Sequence, residues 1–298
     1  MKIKTDVDGG DFLIQEIEEY KNLTIGHNFI FSKVMRNKET CKEVLCRLLP
    51  HLDIGDVEIV EYEKIIDLNL KSKAVRLDIY LNDGTTIYNC EMQTANKDNL
   101  PKRSRYYQAH IDLDCLAKGE AYHDLKKCFV IFICRFDLFK KNLPVYTFAN
   151  LCQEAMDIDL NDGTKKIFFN TTSHELIQDE KMAEFLRFVN NESNSEFQTE
   201  DSFIEKLRTE VEDIKENKEY EVEYMTLNAT LSNERFLGIQ EGKIEGKIEG
   251  KIEGKIELSI EMATEMTKDN EPIEKIMKYC KMSRNEVEEL QKELLEKM

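Results

Sequence analysis

Residues 75–81 and 85–93 are two alternating runs that meet at Asn82-Asp83-Gly84, and no other feature of the 298-residue chain constrains its fold as tightly. Asn-Asp-Gly supplies the backbone freedom that a tight reversal needs, so the segment reads as a β-hairpin. Strand alternation puts Leu77, Ile79 and Leu81 on one face and Asp78 on the other; Cys90 and Met92 likewise face away from Glu91 and Gln93. Folding about the turn brings Asp78 to within a residue or two of Glu91. Carboxylates opposed across strands repel by roughly 0.2–1 kcal/mol unless a cation is shared between them. Two or three hard oxygens around an open coordination sphere suit Mg²⁺ or Mn²⁺. A hairpin with a wet acidic face fits the spacing Asp-x12-Glu-x-Gln as well, so the spacing alone leaves both readings open.

The flanking segments predict the layer around this hairpin. Phe29, Ile30, Val34, Val44, Leu45, Leu48 and Leu49 recur at helical spacing over residues 28–49 until Pro50 stops the pattern, which predicts a first core helix. Residues 57–62 and 65–70 read as strands, 102–117 as a helix, 128–136 as a buried strand, and 144–150 and 166–170 as further strands. The order gives an α/β class, a mixed sheet flanked by helices. Beyond residue 175 the chain becomes charged and helix-favouring, with helices predicted over 176–190 and 202–236 and a polar break between them. The organisation expected is an extension (1–20), a core (21–175), a helical region (176–240), a repeat (241–257) and C-terminal helices (258–298) separated near Met282-Ser283.

A net charge of −17 argues at first against a partner as acidic as DNA. Residues 21–175, however, carry 22 basic and 22 acidic side chains, so the excess negative charge lies in the flanks, chiefly the tail. A neutral core with local basic patches is compatible with a phosphate backbone. One such patch holds Lys97, Lys102, Arg103 and Arg105, followed by Tyr106, Tyr107 and Gln108 at the start of the second core helix. These side chains suit phosphate contacts and base stacking, whereas the plainer alternative is a solvated helix start with core tyrosines. Lys73 and Arg76, flanking the first hairpin strand, are weaker candidates. The eight cysteines form no CxxC pair and read as reduced core thiols. The N-terminal residues lack an apolar signal core, and the longest apolar run, 128–134, is too short for a bilayer, so a cytoplasmic protein with no membrane partner is expected.

Four consecutive copies of Glu-Gly-Lys-Ile fill residues 241–256. On a helix they form a stripe of Ile244, Ile248, Ile252 and Ile256 with Lys on one flank and Glu on the other. Two copies meeting in parallel would set Lys flank against Glu flank, which predicts a homo-oligomer through the C-terminal helical region. Opposing this are the four glycines, each costing about 1 kcal/mol relative to Ala in a helix, and a flexible linker is the alternative.

Taken together, Asn28-Phe29-Ile30-Phe31-Ser32-Lys33-Val34, Leu77-Asp78-Ile79-Tyr80, Asn89-Cys90-Glu91-Met92-Gln93 and Arg103 through Tyr106-Tyr107 resemble the recombination-promoting nuclease/transposase family over about residues 20–255. The resemblance implies a restriction-endonuclease-like PD-(D/E)xK core over residues 21–175. It implies that Asp78 and Glu91 bind Mg²⁺ (or Mn²⁺), with the backbone carbonyl of Met92 as a third ligand. Gln93 stands where the pattern has lysine; an amide orients water and phosphate but supplies no positive charge. An acid from the first helix, Glu39 or Glu43, is a further candidate ligand. The expected activity is a Mg²⁺-dependent DNA endonuclease linked to recombination and transposition, with RNA as an alternative substrate. The rival expectation is a catalytically silent protein of the same fold, acting as a nucleic-acid-binding or assembly module.

Overall fold

The computed structural model describes residues 19–57, 59–67, 73–96, 99–191, 193 and 197–296, and it divides into two compact units, Met1–Met225 and Thr226–Met298. In the first unit six strands, β1 (Ile59–Ile66), β2 (Val75–Asn82), β3 (Thr86–Gln93), β4 (Lys127–Cys134), β5 (Val145–Phe148) and β6 (Thr164–Asn170), form one mixed sheet in the order β1-β2-β3-β4-β6-β5. The first three make an antiparallel meander, β4 runs parallel to β3, β6 parallel to β4, and β5 closes the edge antiparallel. A parallel neighbour needs a crossover, and helix α3 (Leu100–Cys115) lies in the connection from β3 to β4.

Strand β3 therefore lies inside the sheet and every one of its residues is buried. Residues Ile87, Val130, Phe132 and Phe168 face α3 and pack with its Leu100, Tyr107 and Ile111. By alternation Cys90, Met92, Ile131, Ile133 and Phe169 point to the opposite face, where they are also buried. Helix α1 (Asn28–Val34) contacts β2 and β3. The plain alternative of a wet acidic face does not hold, because α3 covers the face that carries Glu91 and leaves Asp78 half-buried.

The helical pattern predicted over residues 28–49 is two helices, α1 and α2 (Lys38–Leu48), because Asn37 leaves the helical conformation and its side chain accepts from the Glu39 and Thr40 N–H groups. An Asx N-cap starts a new helix even where the apolar spacing runs on. The two strands expected over residues 57–70 are one strand, β1, as far as Ile66; residues 58 and 68–70 lie outside the described residues. Helices α4 (Glu180–Asn190) and α5 (Ser202–Glu216) follow the sheet, each capped by an aspartate, Asp179 and Asp201.

His27 caps α1 through Nδ1, which accepts the Phe29 N–H at 3.2 Å, and its ring stands edge-on to Tyr224. Burial, with Arg135 nearby, lowers its pKa to about 4. The unfolded chain therefore binds the extra proton between about pH 6.5 and 4, and stability falls as pH drops through that window. Wild type should lose about 3 kcal/mol relative to His27→Asn, which keeps the cap but does not titrate. Paired urea denaturation curves at pH 7 and pH 4.5 check this; identical pH dependence in both proteins contradicts it.

Helix α6 (Lys218–Lys268) contains the whole Glu-Gly-Lys-Ile repeat, so the repeat is helical and no break occurs at its glycines. The long flanking stretches supply the nucleus, and propagation through the glycines needs no new one. Ile244, Ile248, Ile252 and Ile256 remain more than half exposed. In the second unit α7 (Ile273–Cys280) and α8 (Arg284–Glu296) share a small core, with Ala263, Ile276, Cys280 and Val287 buried. Lys281 in the left-handed region (φ 55°) ends α7, and Ser283 and Glu286 cap α8 reciprocally.

Candidate metal centre

The turn fixes the register on which the site depends. Asp83 Oδ1 accepts the Thr85 and Thr86 N–H groups, Asn82 Oδ1 accepts the Gly84 N–H, and Gly84 takes φ 91°. With Ile79 opposite Cys90, the next pair is Asp78 and Glu91. The two are locked together reciprocally: the Asp78 N–H donates to Glu91 Oε1 at 3.0 Å, and the Met92 N–H hydrogen-bonds the Asp78 carboxylate.

Asp78, Asn89, Glu91 and Gln93 form a polar line on the sheet face that α3 covers, among Tyr80, Val130 and Phe132. Buried polar groups on an apolar face require compensation. For Glu91, fully buried, it comes from Arg103, whose Nη2 donates to Oε2 at 2.7 Å. The same guanidinium donates through Nη1 to Gln93 Oε1 (3.2 Å) and through Nε to Tyr107 Oη (2.6 Å). Tyr107, one helical turn after Arg103, stacks on Phe132, and the guanidinium carbon lies 4.9 Å from the Tyr107 ring centre. Gln93 Nε2 donates to the Met92 carbonyl at 2.8 Å.

One guanidinium does not offset two adjacent carboxylates in a buried site. Burial, followed by the charge of Asp78, raises Glu91, while Arg103 and the Asp78 N–H oppose the rise; its pKa is pushed up to about 8. Burial also raises Asp78, to about 6, against the pull of Arg103 and the Met92 N–H. The Asn89 amide, fully buried two residues before Glu91, makes no hydrogen bond of normal length and lends the carboxylate only a weak dipole. A site that resists ionising both acids is one in which a divalent cation is favoured. The groups that could serve as donors are all oxygens, the two carboxylates and the Met92 carbonyl that also accepts from Gln93, with Asp78 partly open to solvent. That set fits Mg²⁺, which typically uses one or two carboxylates and fills its octahedron with water and phosphate oxygens.

The remaining residues singled out from sequence divide clearly. Arg103 and Tyr107 join the acids, and Gln93 is third in the cluster. Tyr106 turns away, its hydroxyl donating to the Lys73 carbonyl at 2.8 Å and its ring against His110. Lys102 and Arg105 are exposed at the start of α3, and neither forms an ion pair among the described residues. Lys97 lies outside the described residues. Arg76 pairs with Glu63 at the rim. The first-helix acids do not complete the shell: Glu43 is paired with Arg47 at 2.9 Å, Glu39 is exposed, and no group of three or more His, Cys, Asp or Glu gathers among the described residues. Sequence reading missed Asn89, although its place two residues before Glu91 was a signal for the same strand face.

The sheet order, the crossover through α3 and the long helical C-terminal region together make a restriction-endonuclease-like α/β fold. A family model described as PD-(D/E)XK nuclease family transposase matches residues 26–234, and the chain belongs to that family. No match is found among curated proteins or among solved structures. No helix among the described residues is long and apolar enough to cross a membrane.

Proposed function

We propose that the protein is a Mg²⁺- or Mn²⁺-dependent endonuclease that hydrolyses DNA phosphodiesters. The observation that carries this reading is the pairing of half-buried Asp78 with fully buried Glu91, joined through the Asp78 N–H and facing a single guanidinium. Asp78 and Glu91, with the Met92 carbonyl, would hold the ion. When bound, it would polarise a phosphoryl oxygen and make a water a better nucleophile. Gln93 is the group that orients this water, its amide held by Arg103 and the Met92 carbonyl. Arg103 contacts the phosphate, and the exposed Lys102 and Arg105 extend the contact along the backbone. An RNA backbone offers the same phosphates, so competition between labelled DNA and RNA distinguishes the substrates. A link to recombination and transposition, and a cytoplasmic location, belong to the same reading.

Supercoiled plasmid should be nicked by wild type in Mg²⁺ or Mn²⁺, and Asp78→Ala and Glu91→Ala should nick only at background. Equal activity in all three proteins would reject the assigned site. A second reading, a silent protein of this fold acting as a binding or assembly module, draws support from the neutral Gln93 and from the exposed isoleucines of α6. Assembly is compatible with activity: we propose a parallel homo-oligomer along Ile244, Ile248, Ile252 and Ile256, in which Lys flanks meet Glu flanks. Light scattering should show a smaller assembly for a chain ending at residue 236 than for full length; unchanged stoichiometry removes this seam from consideration.

A further inference from the structure

We propose that Arg103 is an exchangeable partner of Glu91: a divalent cation held by Asp78 and Glu91 would take the Glu91 lone pairs from the guanidinium, and the freed Nη2 would donate to a phosphate oxygen of the bound strand instead. The proposal rests on the metal reading above and adds a linkage between metal and nucleic acid to it. Glu91 has two oxygens and both are engaged, Oε1 by the Asp78 N–H and Oε2 by Arg103. A cation held by Asp78 and Glu91 together would compete with the guanidinium for the Glu91 lone pairs and repel its charge.

The rest of the guanidinium has other anchors. Nε stays on Tyr107 Oη, and Nη1 stays on Gln93 Oε1. Tyr107 is itself fixed against the fully buried Phe132. Arg103 is therefore held in place through Nε and Nη1, and only Nη2 changes partner. The side chain is 25% exposed, so Nη2 has a short path to an arriving strand. A preorganised guanidinium N–H is a charge-assisted donor well matched to a phosphate oxygen.

Charge counting points the same way. With both acids ionised, as a bound divalent ion requires, two carboxylates and one guanidinium sum to −1, and Arg76, a further cation near Asp78, is engaged by Glu63 at the rim. Adding a divalent ion makes the sum +1, the complement of one phosphodiester. Arg103 accordingly links the two ligands: metal arms it for the strand, and by reciprocity the strand tightens the metal.

The experiment uses the full chain with two probes, Mn²⁺ alone by calorimetry and a fluorescent DNA duplex by anisotropy, with or without Ca²⁺ and with intact duplex verified on a gel. Arg103→Met should bind Mn²⁺ about 5-fold or more tighter than wild type, because no ion pair has to be broken. It should bind the duplex in Ca²⁺ about 10-fold more weakly, with little difference between the proteins when the ion is omitted. Opposite signs from one substitution are the signature. Arg103→Lys, with melting curves for both variants, guards against misfolding and should fall between. Mn²⁺ affinity that is unchanged or weaker in Arg103→Met, or equal duplex affinity in Ca²⁺, overturns the exchange while leaving the metal site standing. Wild type that binds no Mn²⁺, or binds it equally after Asp78→Ala, overturns both.

Discussion

Glu91→Gln is expected to reduce Mg²⁺-dependent cleavage by about a thousandfold while making the protein more resistant to unfolding at alkaline pH. The substitution keeps the shape of the side chain, and its amide oxygen can still accept the Asp78 N–H. It removes one of the two anionic oxygen donors, leaving Asp78 and the Met92 carbonyl as an inadequate cage for a small hard ion. The stability effect follows from the raised pKa of Glu91, pushed to about 8 by burial and then by Asp78. An acid held above its unfolded value keeps its proton in the native state, so its stabilising contribution is full below about pH 4.5 and is lost as pH rises through about 8. Glutamine has no such loss. The unfolding free energy of Glu91→Gln relative to wild type should therefore climb from pH 5 and level off above about pH 8, in urea denaturation followed by circular dichroism. A flat difference across that range contradicts the buried-acid account, and retained cleavage contradicts the metal assignment. Loss of activity paired with gained stability is the expected cost of a functional site built from unfavourable neighbours.

The parts of this site that were legible in the sequence are local ones. Asn82-Asp83-Gly84 announces its turn through side chains that cap their own backbone, and strict alternation then fixes which residues of β2 and β3 share a face. Arg103 and Tyr107 could be seen as a basic and aromatic cluster, but not as a pair turned inward. That depends on the crossover helix lying over the sheet, and the contact spans 12 residues through a segment without regular spacing. Glu43 is a different case: its partner Arg47 lies one turn later on the same helix, a local pairing that the sequence already offered against a ligand role. The break at Asn37 was hidden because apolar spacing continued across it, and a single side-chain cap decided the outcome. The repeat was ambiguous for a different reason: glycine weakens a helix, and only the length of α6 on each side resolves which tendency prevails.

Arg47 also carries the largest single stability effect expected in the first unit, through its long-range partner. Asp201→Ala should destabilise the protein by about 4 kcal/mol. Asp201 performs two tasks at once: Oδ1 caps α5 by accepting the Phe203 and Ile204 N–H groups, and both oxygens receive Arg47, at 2.5 and 2.9 Å. Loss of an N-cap costs about 1 kcal/mol. Leaving a buried charge without its partner costs roughly 3–5 kcal/mol, and the Arg47 side chain is only 4% exposed, laid over the Phe203 ring. Glu43 remains as a second acceptor for Nε but is substantially solvated, so it offsets little of the loss. Asp201→Asn keeps the cap and one acceptor and should fall between alanine and wild type. Arg47→Met combined with Asp201→Ala should recover much of the stability, because an apolar pair leaves no unpaired charge. Chemical denaturation of wild type, Arg47→Met, Asp201→Ala and the double variant supplies the cycle. Additive losses in the double variant would mean that the two side chains act separately, and the bidentate pair would not be what fastens α5 to α2.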